Sequence, residues 1–161
     1  MYKRQEEKLV SDAHALIGQY PDVFSTPVDI AVNKNGERME IDVRDLNKDD
    51  QIFDIGQKTL DYYSKMINGA GTIFISGPAG FFEKENFHFG TKSLLESVAN
   101  SMATSIVSGG HLTFALKKYE LSEKVNHIST AGGALVRYLT GQKLPMIKCL
   151  EDAANGNNSK V

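Results

Sequence analysis

Apolar positions along this chain switch between a helical and a strand period several times. Leu9, Ala13, Leu16 and Ile17, with Val10 beside them, recur at i, i+4, i+7 and i+8. That spacing predicts an amphipathic helix from about Gln5 to Gly18 with its polar face in water, ended by Gly18 and by Pro21 beyond it. Val28-Asp29-Ile30-Ala31-Val32 and Met39-Glu40-Ile41-Asp42-Val43 alternate, and the Asn35-Gly36 pair between them suits a turn with positive φ. A hairpin follows, or at least two strands on the rim of a sheet. From Gly56 the pattern changes. Leu60, Tyr63 and Ile67 mark a helix before the apolar strand Thr72-Ile73-Phe74-Ile75. Leu94, Leu95, Val98 and Met102 mark the next helix, before the strand Thr104-Ser105-Ile106-Val107. Leu112, Ala115, Leu116 and Tyr119 precede the short strand Asn126-His127-Ile128, and Ala134, Leu135, Tyr138 and Leu139 close the series. Apolar strands alternating with helices predict an α/β fold, a three-layer Rossmann-like parallel sheet with helices on both faces.

Composition narrows the class without changing that picture. The 161 residues are 41% hydrophobic and 24% charged, an ordinary globular mix that excludes disorder, collagen-like repeats and a coiled coil. A net charge of −2 argues against a dedicated nucleic-acid binder. Cys149 is the single cysteine, so an internal disulfide is excluded; a reducing compartment and a packing role for that side chain are expected. The opening Met1–Lys8 has no apolar core of a signal peptide, and no run approaches the ~18 apolar residues of a membrane span. A cytoplasmic protein with no membrane partner is expected.

Three strands end in similar punctuation. Ser76-Gly77-Pro78-Ala79-Gly80, Ser108-Gly109-Gly110-His111 and Ser129-Thr130-Ala131-Gly132-Gly133 follow them in turn. In a parallel sheet all three loops fall on one edge, at the carboxyl ends of the strands, where ligands bind. Glycine lets backbone N–H groups approach an anion, and a helix starting there adds its positive dipole end. One such loop reads as a tight turn; three together read as a phosphate or nucleotide site. No G-x-x-x-x-G-K-[ST] and no strict G-x-G-x-x-G occurs, which excludes a P-loop and disfavours a dinucleotide-dependent oxidoreductase. No Lys or Arg lies in the three loops, so the chain reads as half a phosphoryl-transfer site.

Asp54-Ile55-Gly56-Gln57-Lys58-Thr59, Ser76 through Glu83, Gly90-Thr91-Lys92, Ser108 through His111, His127 through Ala134 and Leu139 through Pro145 stand in one order. From about Glu6 to Ala153 the chain resembles the nucleotide-binding half of the phosphoglycerate kinases, most closely the archaeal type. The resemblance implies an incomplete C-terminal domain of a two-domain kinase over residues 1–153, with a flexible tail over 154–161. It implies reversible phosphoryl transfer between 1,3-bisphosphoglycerate with ADP and 3-phosphoglycerate with ATP, the nucleotides carrying Mg²⁺. Glu83 matches the carboxylate that holds the ribose hydroxyls, and Pro78 and Phe81 match the apolar lining of the nucleoside pocket. Gly109 and Gly110, with His111 and Leu112 after them, match the loop and helix facing the transferring phosphate; Gly132 and Gly133 match a second loop beside it.

The chain departs from the family pattern at several positions. His111 stands where most bacterial and eukaryotic members carry an Asp that organises Mg-nucleotide, and archaeal-type members carry His. Ser76 replaces the usual Asn, and Ala131 the first of three glycines. His14, His88 and His127 have no partners at metal-ligand spacing and read as structural, so no protein metal site is expected beyond an indirect role for His111. The family's N-terminal domain, which binds 3-phosphoglycerate, and the Gly- and Lys-bearing opening of its C-terminal domain have no counterpart in the chain. The fragment alone is therefore expected to be inactive, with a non-catalytic nucleotide-binding module as the competing reading.

Overall fold

Two different backbone chemistries divide the computed structural model, which describes residues 4–155, with side chains from Leu9 onward. Met1–Lys3 and, of the tail expected over 154–161, the part from Gly156 on lie outside those residues, while Ala154 is helical.

The first chemistry is antiparallel. Helix α1 (Arg4–Gln19) leads to β1 (Asp29–Lys34) and β2 (Glu37–Asp42), paired from Asp29–Asp42 to Lys34–Glu37. Asn35 and Gly36 turn the hairpin at φ 55° and 93°, the left-handed pair that matches strand twist, and the Gly36 N–H donates to Asn33 Oδ1 at 2.8 Å. A third strand, β3 (Ile52–Ile55), pairs antiparallel with β1, giving the order β2-β1-β3. The expected hairpin is present, and it lies in a three-stranded antiparallel sheet separate from the parallel one.

The second chemistry is parallel. Helices α2 (Gln57–Gly69), α3 (Phe89–Asn100) and α4 (Gly110–Lys118) alternate with β4 (Thr72–Ser76), β5 (Thr104–Ser108) and β6 (His127–Ser129). Their sheet has the order β4-β5-β6, both ladders parallel. Ile75, Val107 and Ile128 stand side by side on one face and pack with Phe82, Leu95, Leu112 and Leu116 into the main core. Fully burying a side chain such as Phe82, which is 1% exposed, contributes ~2–3 kcal/mol. The opposite face carries Phe74 and Ile106, and Phe74 stays 40% exposed. A smaller core of Ile55, Leu60 and Leu94 joins β3, α2 and α3.

Helices α5 (Gly133–Leu139) and α6 (Pro145–Ala154) follow. Pro145 at the first position of α6 suits a helix start, yet the sequence pattern predicts neither α6 nor β3. Both are short, four and ten residues, and the apolar side chains of α6 (Met146, Ile147, Leu150) are exposed. Cys149 is likewise exposed on α6 instead of filling a core. Every described side chain of α1 is exposed, its apolar stripe included, and the helix runs one residue past Gly18. No helix among the described residues is long and apolar enough to cross a membrane.

The N-terminus of α2 shows how the two sheets are tied. Asp29 Oδ2 accepts the Lys58 N–H at 3.0 Å and Oδ1 the Thr59 N–H at 2.7 Å, while Glu40 Oε2 accepts that of Gln57 at 3.0 Å. Carboxylates from β1 and β2 therefore cap a helix they do not belong to. Gly56 makes this possible, since a Cβ there would lie 2.3 Å from the Asp29 carboxyl carbon. Burial pushes the Asp29 pKa up, but the Thr59 hydroxyl and the two N–H donors outweigh it and hold the group below its usual range. A depressed folded pKa contributes stability above the ordinary Asp value, lost as pH falls through the folded value. Asp29→Asn is therefore expected to lower stability to urea by ~1–2 kcal/mol at neutral pH, with the gap narrowing below pH ~4. A gap independent of pH would contradict this.

Candidate functional site

Ser76, Ser108 and Ser129 end β4, β5 and β6 and stand in register across the parallel ladder. The chain thus leaves the sheet three times along one line, and the three glycine-bearing loops share a rim. The space beside them is open. A Cβ built at Gly77, Gly109, Gly110 or Gly133 would meet nothing within 4 Å, and one at Gly132 would meet only the Gly109 Cα at 3.8 Å.

The β5 and β6 loops are stitched together. The Gly109 N–H donates to the Ser129 carbonyl at 2.8 Å, and the buried Ser108 hydroxyl donates to the Ala131 carbonyl at 2.7 Å. Gly109, at φ 104° and ψ 146°, turns the chain into α4 through backbone that favours glycine. Among the described residues, no acceptor meets the N–H groups of Gly110, His111 and Leu112, whereas carboxylates occupy the starts of α2 and α3. These N–H groups and the dipole behind them can receive an anion.

The expected site residues fall into two groups. Gly109, Gly110, Gly132 and Gly133 come together where α4 and α5 begin. His111 is exposed on the first turn of α4; the Leu112 side chain is buried in the core, leaving its N–H to the rim. Beside Gly133 a cleft of about 430 Å³ opens, bordered by Arg137 and Pro145. Pro78, Phe81 and Glu83 belong to the β4 loop and its continuation. Pro78 is exposed; Phe81, 44% exposed, packs edge-on against Phe53 at 5.5 Å, and Lys84 Nζ lies over both rings at 5.3 and 4.6 Å. Glu83 is exposed and forms neither a hydrogen bond nor an ion pair among the described residues. Its charge, with those of Asp54 and Glu96, adds to the burial that raises the Tyr119 phenol pKa.

Sequence reasoning assigned no role to Asp54, although a carboxylate inside the apolar run Ile52-Phe53-Asp54-Ile55 is a signal. Its side chain is fully buried and accepts the Gly90 N–H at 2.9 Å, the Ile55 N–H at 2.9 Å and Arg38 Nη1 at 2.8 Å. Burial pushes its pKa up against those donors and the Arg38 charge.

Among the described residues, no three His, Cys, Asp or Glu side chains gather as metal ligands. His111 is a lone imidazole at the rim, whereas Mg²⁺ takes oxygen ligands. The rim side chains therefore do not fit a protein-held Mg²⁺ site. The glycine cradle fits phosphate oxygens.

Parallel strands with open glycine turns at their carboxyl ends define an α/β unit of the class in which that rim is the usual place for a ligand. The family model for phosphoglycerate kinase matches residues 2–142, and the chain belongs to the phosphoglycerate kinase family. It is 43% identical over 161 residues to the phosphoglycerate kinase of Methanothermus fervidus, covering all of this chain and 39% of that protein. It is 44% identical over 140 residues to that of Methanococcus maripaludis, covering 86% of this chain and 34% of that protein. The solved phosphoglycerate kinase of Pyrococcus horikoshii superimposes with a TM-score of 0.82 at 34% identity, over 94% of this chain and 38% of that one. The chain thus spans under two fifths of the length of these relatives, within their C-terminal portion.

Gly109 and Gly110 differ in backbone conformation, and stability should separate them too. Gly109→Ala is expected to cost ~1–3 kcal/mol because of its backbone conformation. Gly110→Ala, with ordinary φ and open space, is expected to change stability by under ~1 kcal/mol. Equal losses for both in urea unfolding would contradict the assignment.

Proposed function

We propose that this chain is the nucleotide-binding part of an archaeal-type phosphoglycerate kinase, working with ATP and ADP in the cytoplasm. The reading rests above all on the cradle where Gly109, Gly110, Gly132 and Gly133 meet the uncapped start of α4.

In the reaction the family implies, an oxygen of the ADP β-phosphate attacks the phosphorus of the acyl phosphate on 1,3-bisphosphoglycerate. The bond from phosphorus to the carboxyl oxygen breaks, a new bond forms to ADP, and 3-phosphoglycerate leaves as a carboxylate. Positioning and charge stabilisation, without a covalent nucleophile, are what such a transfer asks of the protein. The N–H groups of Gly110, His111 and Leu112 would take the phosphate oxygens. Glu83 would accept from the two ribose hydroxyls, and Pro78 and Phe81 would border the base. Mg²⁺ would arrive on the phosphates of the nucleotide and neutralise their charge.

A helix end contributes only about half a charge, and the three loops carry no Lys or Arg. The balancing cations and the 3-phosphoglycerate site belong, on this reading, to parts of the family fold outside these residues.

The test is calorimetric titration of the purified chain with MgATP, where weak, saturable binding is expected. Glu83→Ala is expected to weaken it about three- to tenfold, the net range for a single ordinary hydrogen bond and suited to an exposed carboxylate; unchanged affinity would remove Glu83 from the site. No 3-phosphoglycerate kinase turnover is expected from the chain alone, and detectable turnover would contradict the division of labour.

A further inference from the structure

The geometry points to Asp54, held by Arg38, as the positioning residue that sets the nucleoside side of the rim while leaving the phosphate side untouched. This rests on the nucleotide reading above and adds a residue to it.

Asp54 lies where three segments cross. It is the next-to-last residue of β3, it accepts the Gly90 N–H at the start of α3, and it packs against the turn at Gly80. A Cβ at Gly80 would come within 2.3 Å of Asp54 Oδ1 and one at Gly90 within 2.2 Å, so both glycines are shaped to this carboxylate. The turn is fixed twice more: the Gly80 N–H donates to Thr91 Oγ1 at 3.2 Å and the Phe81 N–H to the Phe53 carbonyl at 2.6 Å. Phe53 and Thr91 are sequence neighbours of Asp54 and Gly90, so the carboxylate bond sets both anchors. Phe81 and Glu83 follow directly along the chain.

Arg38 supplies the countercharge from β2. Its guanidinium reaches Asp54 and Glu40 at 2.8 Å and the Ile55 carbonyl at 2.9 Å, and it lies over the Phe89 ring at 5.5 Å. A buried carboxylate left without that partner is strongly disfavoured, so the pair locks the hairpin to the turn. The β5 and β6 loops hold together through bonds that do not involve Asp54. The two ends of a bound nucleotide would thus rest on separately braced segments.

The test compares ATP with inorganic tripolyphosphate on the full chain. Asp54→Asn keeps the shape but turns one acceptor oxygen into a donor, facing either Gly90 and Arg38 or the Ile55 N–H. ATP affinity is expected to fall about five- to tenfold with tripolyphosphate affinity unchanged. Equal changes for both probes, or no change in either, would overturn the proposal. Arg38→Gln is expected to produce the same split and carries the test if Asp54→Asn does not fold. Should the unmodified chain bind neither probe, the nucleotide reading fails, and amide hydrogen exchange then decides the positioning role. Lost protection confined to the turn and strand anchors around Gly80–Phe82 supports it; unchanged or uniformly lowered protection overturns it.

Discussion

Asp54 presents a charge where a protein of this size can least tolerate one, with its side chain fully enclosed. Three donors reach it from β2, β3 and α3, and two glycines give up their Cβ so that the chain can pass. An unpaired buried carboxylate would be prohibitive, so each donor must be in place before the interior can close. That requirement fixes the antiparallel sheet against the parallel one at a single point. Asp29 makes a second tie by capping α2 from β1. Two carboxylates of the hairpin sheet and its neighbour strand thus do work that a continuous ladder does elsewhere.

The same physics separates the rim from the interior. Helix starts that lie against the hairpin sheet receive protein carboxylates, and their N–H groups are spent within the molecule. The start of α4 lies on the other sheet, beyond reach of those side chains, and its N–H groups face open space. The open backbone N–H groups at this rim are therefore a consequence of topology: parallel strands place their carboxyl ends together, and among the described residues no side chain accepts from Gly110, His111 or Leu112.

Much of this was readable from the residues. Alternation in β1 and β2 and the Asn35-Gly36 turn were sufficient because one local rule governed each. The glycine punctuation after β4, β5 and β6 placed the rim for the same reason. What escaped was long-range. Gly77 and Gly80 sit three residues apart in one loop, yet one faces solvent and the other abuts Asp54, a distinction invisible without the partner. β3 escaped because a carboxylate interrupts its apolar run, and α6 because it is only ten residues long, its large apolar side chains Met146, Ile147 and Leu150 spanning little more than one turn. The family resemblance assigned nothing to Arg38 or Asp54, whose contacts with each other exist only in the folded chain.

Backbone amide shifts during titration with MgATP measure the central claim most directly. The account predicts saturable shifts centred on Gly110, His111, Leu112, Gly132 and Gly133, while Gln57, Lys58 and Thr59 at the carboxylate-capped start of α2 stay still. Shifts centred on α2, or none along the β5 and β6 loops, would contradict it.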